Sequence, residues 1–362
     1  MTGLGTAAGT SLAAAATGVA ALAADHAPAA DRDRRLRPEV VAALVGAGFA
    51  GHFASPPGGP ARGTFTELLR ALVTVGEACA SASWCGLIFA TSARMAGFLP
   101  AAGRAELWRD GPDVPIATGL TPAGRAERVG DRWRVDGEWR FVSAVEFAEW
   151  ALVRAPVGSG SDSCFFAVPR RRWTVRDTWF TVGMRGTGSN SLRLDGVTVP
   201  DHLVFPAEAV FRGSDDPGAP AFLRPPLLGG HPPLFAATAL GAARGGLRSW
   251  TAKRPAGASA APALARSSGE LDAAGMLLER AAAAADSGDG PAARTARDSF
   301  VAAELVLGAV ERLFRAAGTR AQAAPDPLER AWRDVHAATS HAALGAERNS
   351  EHYARHVWPA DQ

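Results

Sequence analysis

The spacing of hydrophobic residues changes twice along this chain, and the order of the three patterns limits the folds it can adopt. Residues 1–112 carry the spacing of amphipathic helices. Residues 113–212 hold short segments rich in aromatic and β-branched residues, separated by turn pairs such as Gly130-Asp131 and Asp195-Gly196. Residues 213–362 begin with a Pro/Gly-rich connector and then return to helical spacing. The sequence therefore predicts a helical domain, a central antiparallel β domain and a second helical domain.

Four long helices are predicted in the last domain, because breaks that contain Pro or Gly divide it into four segments. The segments are Leu234–Lys253, Ser267–Ala284, Pro291–Ala317 and Pro327–Arg355. Segments of this number and length are typical of a four-helix bundle.

The charge pattern argues against several classes of partner. The net charge is +2 over 362 residues, the only lysine is Lys253, and the arginines are interspersed with acids, so no basic tract predicts binding to nucleic acid. No apolar run is long enough to cross a membrane. The apolar stretch Leu12–Ala24 has no basic residue before it, so we predict an amphipathic helix rather than a signal peptide.

The cysteines and glycines suggest no bound metal and no nicotinamide site. Cys79, Cys85 and Cys164 are an odd number without metal-ligand spacing, and a reducing cytoplasm is the expected compartment. The stretch Gly46–Gly51 matches a dinucleotide-binding fingerprint, but a helix precedes it where a strand is needed. We interpret this stretch as a helix end followed by a turn.

Two motifs in the β domain have a residue spacing that could bring side chains or backbone N–H groups into an active site. The run Trp139-Arg140-Phe141-Val142-Ser143 alternates as a strand does, so Trp139, Phe141 and Ser143 are predicted to share one face. By itself this pattern favours a core-facing pair that ends in a strand-edge serine. The glycines of Gly183–Asn190 either let backbone N–H groups approach an anion or make a tight connection before the next strand.

Two histidines lie close together in the last predicted helix. His341 follows His336 by five residues, which would place their side chains about 140° apart around one helix. Such a pair does not easily bind one metal ion. A lone helical histidine is also more often structural than catalytic, so the pattern alone leaves the role of both residues open.

Together these motifs resemble those of the flavin-dependent monooxygenases that share the acyl-CoA dehydrogenase fold. The run Gly-Met-Arg-Gly-Thr-Gly-Ser at residues 183–189 is similar to the family pattern, as is the segment Pro327–His341. The resemblance extends from Leu36 to the C-terminal helix. It implies an α+β, acyl-CoA dehydrogenase-like fold with an N-terminal helical domain, a central antiparallel β-barrel domain and a C-terminal four-helix bundle.

The resemblance also implies a reaction. In these enzymes reduced FMN or FAD is supplied by a separate NAD(P)H:flavin reductase and reacts with O2 to form a C4a-(hydro)peroxyflavin. This species oxygenates the substrate, which is expected to be a small aromatic or amine-containing molecule of secondary metabolism. The expected protein is a cytoplasmic homotetramer that packs through its C-terminal bundle.

The resemblance assigns roles to individual residues. His341 aligns with the histidine that helps to form and protonate the flavin adduct, with His336 as the reserve, and Ser143 aligns with a serine whose hydroxyl lies near flavin N5. The other expected cofactor-binding residues are Thr121, Trp139, Phe141, Arg185, Thr187, Ser189, Phe314 and Gly318. The expected substrate-binding residues are Trp84, Ser92, Arg94, His231 and His336.

Two features depart from the family pattern. Relatives commonly have Ser-Gly where this chain has Ser143-Ala144, so a methyl group is added near the flavin ring. Several relatives carry a substrate-contacting His or Tyr on the helix after Ser81–Trp84, whereas Ser92 and Arg94 are the polar candidates here. The substrate pocket is therefore expected to differ.

Two other functions remain open from the sequence. An acyl-CoA dehydrogenase or oxidase needs a carboxylate base, but the Tyr-Glu-Gly region of those enzymes has no counterpart here, and Tyr353 is the only tyrosine. Glu329 and Glu347 are present, but in helices without that motif. A flavin-binding or assembly subunit that has lost catalysis is disfavoured by the presence of both Ser143 and His341.

Overall fold

The first part of the chain is helical. The computed structural model describes residues 11–358 apart from 60–61, 159–161, 256, 258 and 323–324. The N-terminal helices are α1 (Leu12–Asp33), α2 (Pro38–Gly46), α3 (Phe65–Gly76), α4 (Ala80–Ala96) and α5 (Ala101–Leu107). The glycine-rich stretch after α2 is a helix end and a turn, as predicted.

The start of α3 ties two of these helices together. The Thr64 hydroxyl accepts a hydrogen bond from the backbone N–H of Glu67 (3.1 Å) and so caps the helix. The Glu67 carboxylate in turn accepts from the backbone N–H of Leu12 (3.0 Å), the first residue of α1. One capping sequence therefore fixes the relative position of α1 and α3.

Helix α4 is the most enclosed helix of this part. All its residues are buried except Ile88, which is partly exposed. Trp84 and Ser92 lie four residues before and after Ile88 and so share its face. The partly exposed Ile88 therefore lies on the face of α4 that also carries Trp84 and Ser92.

The middle part contains eight strands. They are β1 (Ile116–Gly119), β2 (Arg125–Val129), β3 (Arg132–Trp139), β4 (Trp150–Pro156), β5 (Ser163–Pro169), β6 (Thr174–Arg176), β7 (Ser191–Pro200) and β8 (Val204–Pro206). They form two four-stranded sheets, ordered β1-β4-β5-β8 and β2-β3-β7-β6. Strands β1 and β4 pair in parallel, with Ile116 opposite Trp150, so the predicted antiparallel arrangement is corrected at this edge. A parallel pair is possible here because β2 and β3 supply the long connection that it requires.

The two sheets share one hydrophobic core, which includes Trp139, Phe165, Phe166 and Leu192. A single bridge between Ala126 and Val157 links one sheet to the other. Within the described residues of this part, the strands form two sheets, and closure into the predicted barrel is not confirmed.

The last part returns to helices. They are α6 (Ala207–Arg212), α7 (Leu227–Gly230), α8 (Pro232–Ala252), α9 (Ala260–Ser287), α10 (Ala292–Ala317), α11 (Pro327–Thr339) and α12 (Ala346–Val357). Helices α8 to α11 pack against one another as a bundle, and α3 packs on two of them.

The predicted helix Pro327–Arg355 is wrong, because the chain leaves the helix after Thr339. The hydroxyls of Thr339 and Ser340 bond to carbonyls of the preceding turn, and His341 has an extended backbone (φ −64°, ψ 137°). Such side-chain bonds compete with the helical pattern. His336 and His341 therefore lie on different elements, and the 140° separation expected for one helix does not apply.

A second hydrophobic core joins the N-terminal and C-terminal helices. Ala144 and Met184 come from the middle part of the chain but belong to this helical core. The segments around them therefore lie where the sheets meet the helices. In the described residues no helix is long and apolar enough to cross a membrane. No group of three or more His, Cys, Asp or Glu residues in that part of the chain could hold a metal ion.

Candidate functional site

A row of hydroxyl groups lies at this boundary between sheets and helices. The indole Nε1 of Trp84 donates to Ser143 Oγ (3.1 Å), which lies 2.7 Å from Ser189 Oγ. Ser189 Oγ lies 2.8 Å from Thr187 Oγ1, which donates to the backbone carbonyl of Met184 (2.8 Å). All these side chains are buried. We call Ser143, Ser189 and Thr187 the hydroxyl chain.

The two ends of the hydroxyl chain fix the direction of its protons. Because Thr187 gives its proton to a carbonyl, its oxygen accepts from Ser189, and the Ser189 oxygen accepts from Ser143. Ser143 also accepts from the indole of Trp84, which can only donate. The proton of Ser143 is therefore already used, and its oxygen keeps one free lone pair.

Ser143 lies in an irregular turn and not in a strand. Strand β3 ends at Trp139, and the backbone then passes through two left-handed residues, Phe141 (φ 60°) and Ala144 (φ 58°). Trp139 is buried, whereas Phe141 is 66% exposed. The prediction that Trp139, Phe141 and Ser143 share one face is therefore wrong, because the left-handed residue ends the alternation of the strand.

The glycine-rich motif holds the Ser143 turn in place. The backbone N–H of Val142 donates to the Asn190 carbonyl (3.0 Å), and that of Ala144 donates to the Thr187 carbonyl (2.9 Å). Residues 185–187 form one turn of 3-10 helix between left-handed Met184 and Gly188. Of the two interpretations of this motif, the structure shows the tight connection.

This motif is anchored on helix α11. The backbone N–H of Met184 donates to Asp334 Oδ1 (2.6 Å), and a Cβ atom at Gly183 would collide with the Arg333 carbonyl. Burial raises the pKa of Asp334 to about 6. Arg333 pairs with Asp31 (2.7 Å) and so connects α11 to α1. The Arg333-Asp334 pair thereby positions the hydroxyl chain from the C-terminal helices.

His341 lies against aromatic side chains from two helices. Its ring stacks on Phe235 of α8 (centroids 4.1 Å apart, 18° between planes). It meets the Trp84 ring nearly edge-on (5.4 Å, 75°). Trp84 thus contacts His341 with its ring and Ser143 with its N–H, and brings the two predicted catalytic residues to one place.

The hydrogen bonds of His341 identify its tautomer. The backbone N–H of Ala343 donates to Nδ1 (3.3 Å), so in the neutral ring the proton is on Nε2. Burial lowers the pKa of His341 to about 4. The imidazole is therefore neutral at neutral pH and offers an Nε2–H donor. With the ordinary pKa of 6.5 the ring would instead be partly protonated at that pH.

His336 lies in a separate cluster. Its Nδ1 is 2.8 Å from the Trp332 carbonyl, and its ring packs on the Trp332 ring. Trp332 stacks on Phe314 and donates to Glu311 (2.7 Å). The structure therefore places His336 and the predicted cofactor residue Phe314 together, away from the contacts made by His341.

The predicted substrate residues Arg94 and His231 form a buried pair. Arg94 is completely buried, and one of its terminal nitrogens lies 3.2 Å from His231 Nε2. Ser92, two residues earlier on α4, accepts a hydrogen bond from Thr118 of β1 (2.8 Å). Because His231 precedes Phe235 by one helical turn, the pair lies next to the aromatic contacts of His341.

The remaining predicted cofactor residues are dispersed. Thr121 is exposed in a turn, and Trp139 donates to the Arg154 carbonyl (2.7 Å) from within the sheet core. Arg185 donates to the Asp31 carbonyl (2.7 Å). Gly318 ends α10 with a left-handed backbone (φ 63°). Of these four residues, none contacts the hydroxyl chain through a side-chain hydrogen bond in the described part of the chain.

Two residues of this site escaped the sequence interpretation. Phe235 stacks on His341, and its i, i+4 spacing from His231 was the signal that could have revealed it. Asn349 of α12 is buried and donates to the Ala343 carbonyl (3.0 Å), which holds the turn that carries His341. The spacing gives no signal for Asn349, because the break in the helix was not predicted.

The arrangement fits a flavin, which has an apolar ring with polar edges. Phe141, Phe180 and Val182 are between 66% and 72% exposed beside the turns that carry the hydroxyl chain. Ser143 has an unused lone pair next to this apolar surface. An apolar ring whose edge carries an N–H donor would cover these apolar side chains and donate a hydrogen bond to Ser143.

Comparisons with known proteins give the same indication. Residues 234–345 match the family model of the acyl-CoA dehydrogenase C-terminal domain. The chain is 29% identical to the FADH2-dependent resorcinol hydroxylase, oxygenase component, of Rhizobium sp. (strain MTP-10005), over 90% of this chain and 89% of that protein. It is also 29% identical to HsaA, a flavin-dependent monooxygenase oxygenase subunit of Mycobacterium tuberculosis (strain ATCC 25618 / H37Rv), with the same coverage of 90% and 89%.

Solved structures are similar over nearly the whole chain. The 3-HSA hydroxylase from Rhodococcus sp. RHA1 superposes with a TM-score of 0.89 at 26% identity, covering 98% of both chains. XiaF from Streptomyces sp., in complex with FADH2 and glycerol, superposes with a TM-score of 0.91 at 26% identity, covering 97% of this chain and 95% of that one.

Proposed function

We propose that the chain is the oxygenase component of a two-component flavin-dependent monooxygenase that shares the acyl-CoA dehydrogenase fold. It would use reduced FMN or FAD from a separate NAD(P)H:flavin reductase, together with O2, to oxygenate a small aromatic molecule. The relatives named as FADH2-dependent and as hydroxylases support both the cofactor and the reaction class.

One observation carries this proposal. Trp84 donates its N–H to Ser143 and packs its ring against His341, so a single buried side chain joins the two groups that the reaction needs. A bound reduced flavin would supply the two electrons that let O2 give one atom to the substrate and one to water.

Ser143 would act as a hydrogen-bond acceptor. Its own proton is directed to Ser189, so its free lone pair can accept the N5–H of a reduced flavin. Holding that proton in place disfavours loss of hydrogen peroxide, since that side reaction removes it. Ser189 and Thr187 would contribute indirectly, because they fix the direction of the Ser143 hydroxyl.

His341 would act through its Nε2–H. A neutral imidazole in a desolvated position can donate a hydrogen bond to developing negative charge on oxygen without the cost of a buried cation. Trp84 and Phe235 cover its ring faces and edges and exclude water, which protects an oxygen-transfer reaction from hydrolysis and from loss of peroxide.

The other cofactor residues have supporting roles in this proposal. The exposed ring of Phe141 would cover a flavin face, and buried Trp139 would support the turn from behind. Arg185 and Thr121 would border the cofactor from the neighbouring turns. His336 would contact the substrate only if the cluster around Trp332 reaches the substrate site. We therefore rank His336 below His341.

We also propose a homotetramer packed through the bundle, with Phe314 and Gly318 approaching the flavin of a neighbouring subunit. Met276 on α9 is 68% exposed and supports an assembly that covers this face of the bundle. Residues 1–112, 113–212 and 213–362 would be the three domains of each subunit.

An acyl-CoA dehydrogenase reaction finds less support. Glu329 is paired with Arg333, and Glu347 is exposed in the first turn of α12. Neither carboxylate accompanies Ser143 and His341, whereas that reaction needs a carboxylate base at the substrate.

The test uses flavin that has been reduced beforehand. The protein is mixed with reduced FMN or FAD under anaerobic conditions, binding is measured, and isotopically labelled O2 is then admitted with a panel of aromatic compounds. We expect tight binding of reduced flavin and a product that carries one labelled oxygen atom. NADH with oxidised FMN should give no oxygen consumption unless a reductase is added. Failure to bind either reduced flavin, or steady NADH oxidation by this protein alone, contradicts the proposal.

A further inference from the structure

A cavity of about 180 Å³ lies at one end of the β domain, where strands of both sheets come together. It is lined by the start of β3, the ends of β5 and β7, and the 3-10 turn Arg170–Arg172 that follows β5. A single water molecule needs only about 10–15 Å³ of such space, so the cavity has room for a small organic molecule. We call it the arginine cavity.

The charged side chains that line the arginine cavity are mostly cationic. They are Arg132, Arg171, Arg172 and Glu106. The single carboxylate is already paired, because Glu106 Oε2 lies 2.7 Å from His202 Nε2. The lining therefore carries an excess of positive charge.

Two of the three arginines keep their hydrogen-bond donors free. In the described part of the chain Arg171 and Arg172 make no ion pair and no side-chain hydrogen bond, whereas Arg132 lies 3.9 Å from Asp131. Their neighbour Arg170 donates to the Trp173 carbonyl (3.1 Å) and so fixes the turn that carries them. A guanidinium presents its N–H donors as a planar fork, which matches the two oxygens of a carboxylate.

The inner wall of the arginine cavity is apolar. It includes Ala167 and Val168 of β5, Val197 and Val199 of β7, and Leu203, all of which are buried. Such side chains make no hydrogen bonds, but they favour a ligand whose body is apolar. The cavity thus combines a cationic rim with an apolar wall.

The arginine cavity is separate from the candidate active site. Strand β7 starts at Ser191, two residues after Ser189 of the hydroxyl chain, and reaches the cavity with Thr198 near its other end. Seven residues of extended strand span about 23 Å. A molecule in the cavity therefore does not contact Ser143 or Ser189.

We propose that the arginine cavity is a second ligand site, which binds a small carboxylate with an apolar body. The guanidinium groups of Arg171 and Arg172 receive the carboxylate at the rim, and the body lies against Val197 and Leu203. This ligand is neither the flavin nor the molecule that is oxygenated. The inference does not depend on the proposed monooxygenase function.

Size and charge distinguish this ligand from other classes. Sites for drug-sized ligands have volumes of roughly 300–1,000 Å³, so a nucleotide or a flavin is too large for this cavity. An amine would place a cation beside the arginines, which disfavours it. An inorganic anion would leave the apolar wall uncovered, and a neutral molecule would gain nothing from the guanidinium groups.

The inference is tested by calorimetric titration of the purified full-length protein. The probe is cyclohexanecarboxylate, which is not aromatic and so differs from the substrates expected at the candidate active site. The matched probes are cyclohexanemethanol, cyclohexanemethylamine and acetate. We expect cyclohexanecarboxylate to bind once per chain and more tightly than each matched probe by roughly 10-fold or more. Its affinity should fall as sodium chloride is added.

Variants of the arginines locate the bound carboxylate. The double variant Arg171→Gln/Arg172→Gln should weaken cyclohexanecarboxylate binding by roughly 10-fold or more. The single variants Arg172→Gln and Arg193→Gln remove the same charge from exposed residues, but Arg193 lies five residues before Thr198 on β7 and does not line the cavity. Arg172→Gln should weaken binding, and Arg193→Gln should bind as the wild type does.

A variant of the wall tests the apolar part of the site. Val197→Thr keeps the shape of the side chain but puts a hydroxyl group in the wall, so it should weaken cyclohexanecarboxylate binding by several-fold. If this buried substitution prevents folding, the exposed arginine variants still decide the question.

The inference is overturned if cyclohexanecarboxylate does not bind saturably, or if the alcohol, the amine or acetate binds as tightly. It is also overturned if the double arginine variant binds as the wild type does. Equal weakening by Arg172→Gln and Arg193→Gln would show a general effect of net charge and would likewise rule out this site.

Discussion

The candidate site has two halves that are built differently. The first half consists of Trp84 and Arg94 on α4, Phe235 on α8, and His231 immediately before α8. Both helices are packed on nearly all sides. Ser143, Ser189, Thr187 and His341 lie in short turns, next to left-handed residues such as Ala144 and Met184. In the proposed function the helical half would supply the shape of the site. The turn half directs individual hydrogen bonds, which need backbone directions that no regular element provides.

This contrast shows that the turn half depends on outside support. Asp334 of α11 holds Met184, and Asn349 of α12 holds the His341 turn. Both supports come from C-terminal helices: Asp334 is 150 residues from Met184, whereas Asn349 is only six residues from Ala343. Changes in these turns and supports should therefore alter chemistry more than folding.

The largest effect is expected for His341. His341→Ala removes the Nε2–H donor from the turn half and should lower product formation by about 10²-fold or more. Reduced flavin should still bind, and oxygen uptake should continue and end in hydrogen peroxide. Product and peroxide are measured per O2 consumed.

His336→Ala is the matched control, because His336 lies five residues away but on α11 with Trp332. It should leave the ratio of product to peroxide nearly unchanged. If His336→Ala abolishes product while His341→Ala stays coupled, the two halves of the site have been assigned to the wrong histidine.

A smaller effect is expected for Asn349, which supports His341 without touching its ring. Asn349→Ala leaves the Ala343 carbonyl without its donor, and should lower the free energy of unfolding by about 1–3 kcal/mol. It should also shift oxygen from product to peroxide by several-fold, because His341 is less well held. Ser350→Ala, at the exposed residue that follows Asn349 on α12, should change neither quantity. If Asn349→Ala lowers stability but leaves the ratio of product to peroxide unchanged, Asn349 does not position His341.

The helical half was the easier one to predict from sequence. The spacing of apolar residues indicated α8 and α10 within two residues of their observed ends, and α9 with a start seven residues late. The predicted substrate residues Arg94 and His231 lie together. The strands β3 to β7 lie in segments rich in aromatic and β-branched residues, whereas β1, β2 and β8 carry less of this signal. These three are short, at three to five residues each, and carry little periodic signal.

The turn half could not be predicted from spacing. Periodicity placed Ser143 on a strand and His341 on a helix, but positive φ angles at Phe141 and Ala144 and hydrogen bonds of Thr339 and Ser340 break both patterns. The resemblance to known enzymes pointed to both residues. The pKa of His341 depends on burial by Phe235 and Trp84, which come from distant helices.

The pH dependence of the free energy of unfolding tests whether His341 is desolvated in the folded protein. The folded pKa of His341 is about 4, below its ordinary 6.5, so as the pH falls the unfolded chain takes up the proton first. Stability from this residue is therefore present above about pH 6.5 and is lost as the pH falls towards about 4.

Urea unfolding at about pH 7.5 and about pH 5 should show a larger loss of stability for the wild type than for His341→Gln. Buried His52 and His231, whose pKa values are also lowered by burial, are present in both proteins; because His341 also lowers the pKa of His231, the difference reports His341 together with its effect on His231. Asp334, whose pKa is raised, cancels in the same way. Equal losses in the two proteins would mean that His341 is solvated in the folded state.

The smallest effect concerns the strain in the Ser143 turn. Ala144 is buried with φ at 58°, a backbone conformation that glycine adopts more easily than alanine. Ala144→Gly relieves that strain but removes a buried methyl group, worth about 0.8 kcal/mol, so stability should change by less than about 1 kcal/mol. At Ala148, which is buried in the same connection without a positive φ, the same substitution offers no relief and should destabilise by about 1 kcal/mol. Denaturant unfolding of the two variants gives the comparison directly. If Ala144→Gly costs as much as Ala148→Gly, the turn is not strained at this residue, and the alanine that departs from the family pattern fits as well as glycine would.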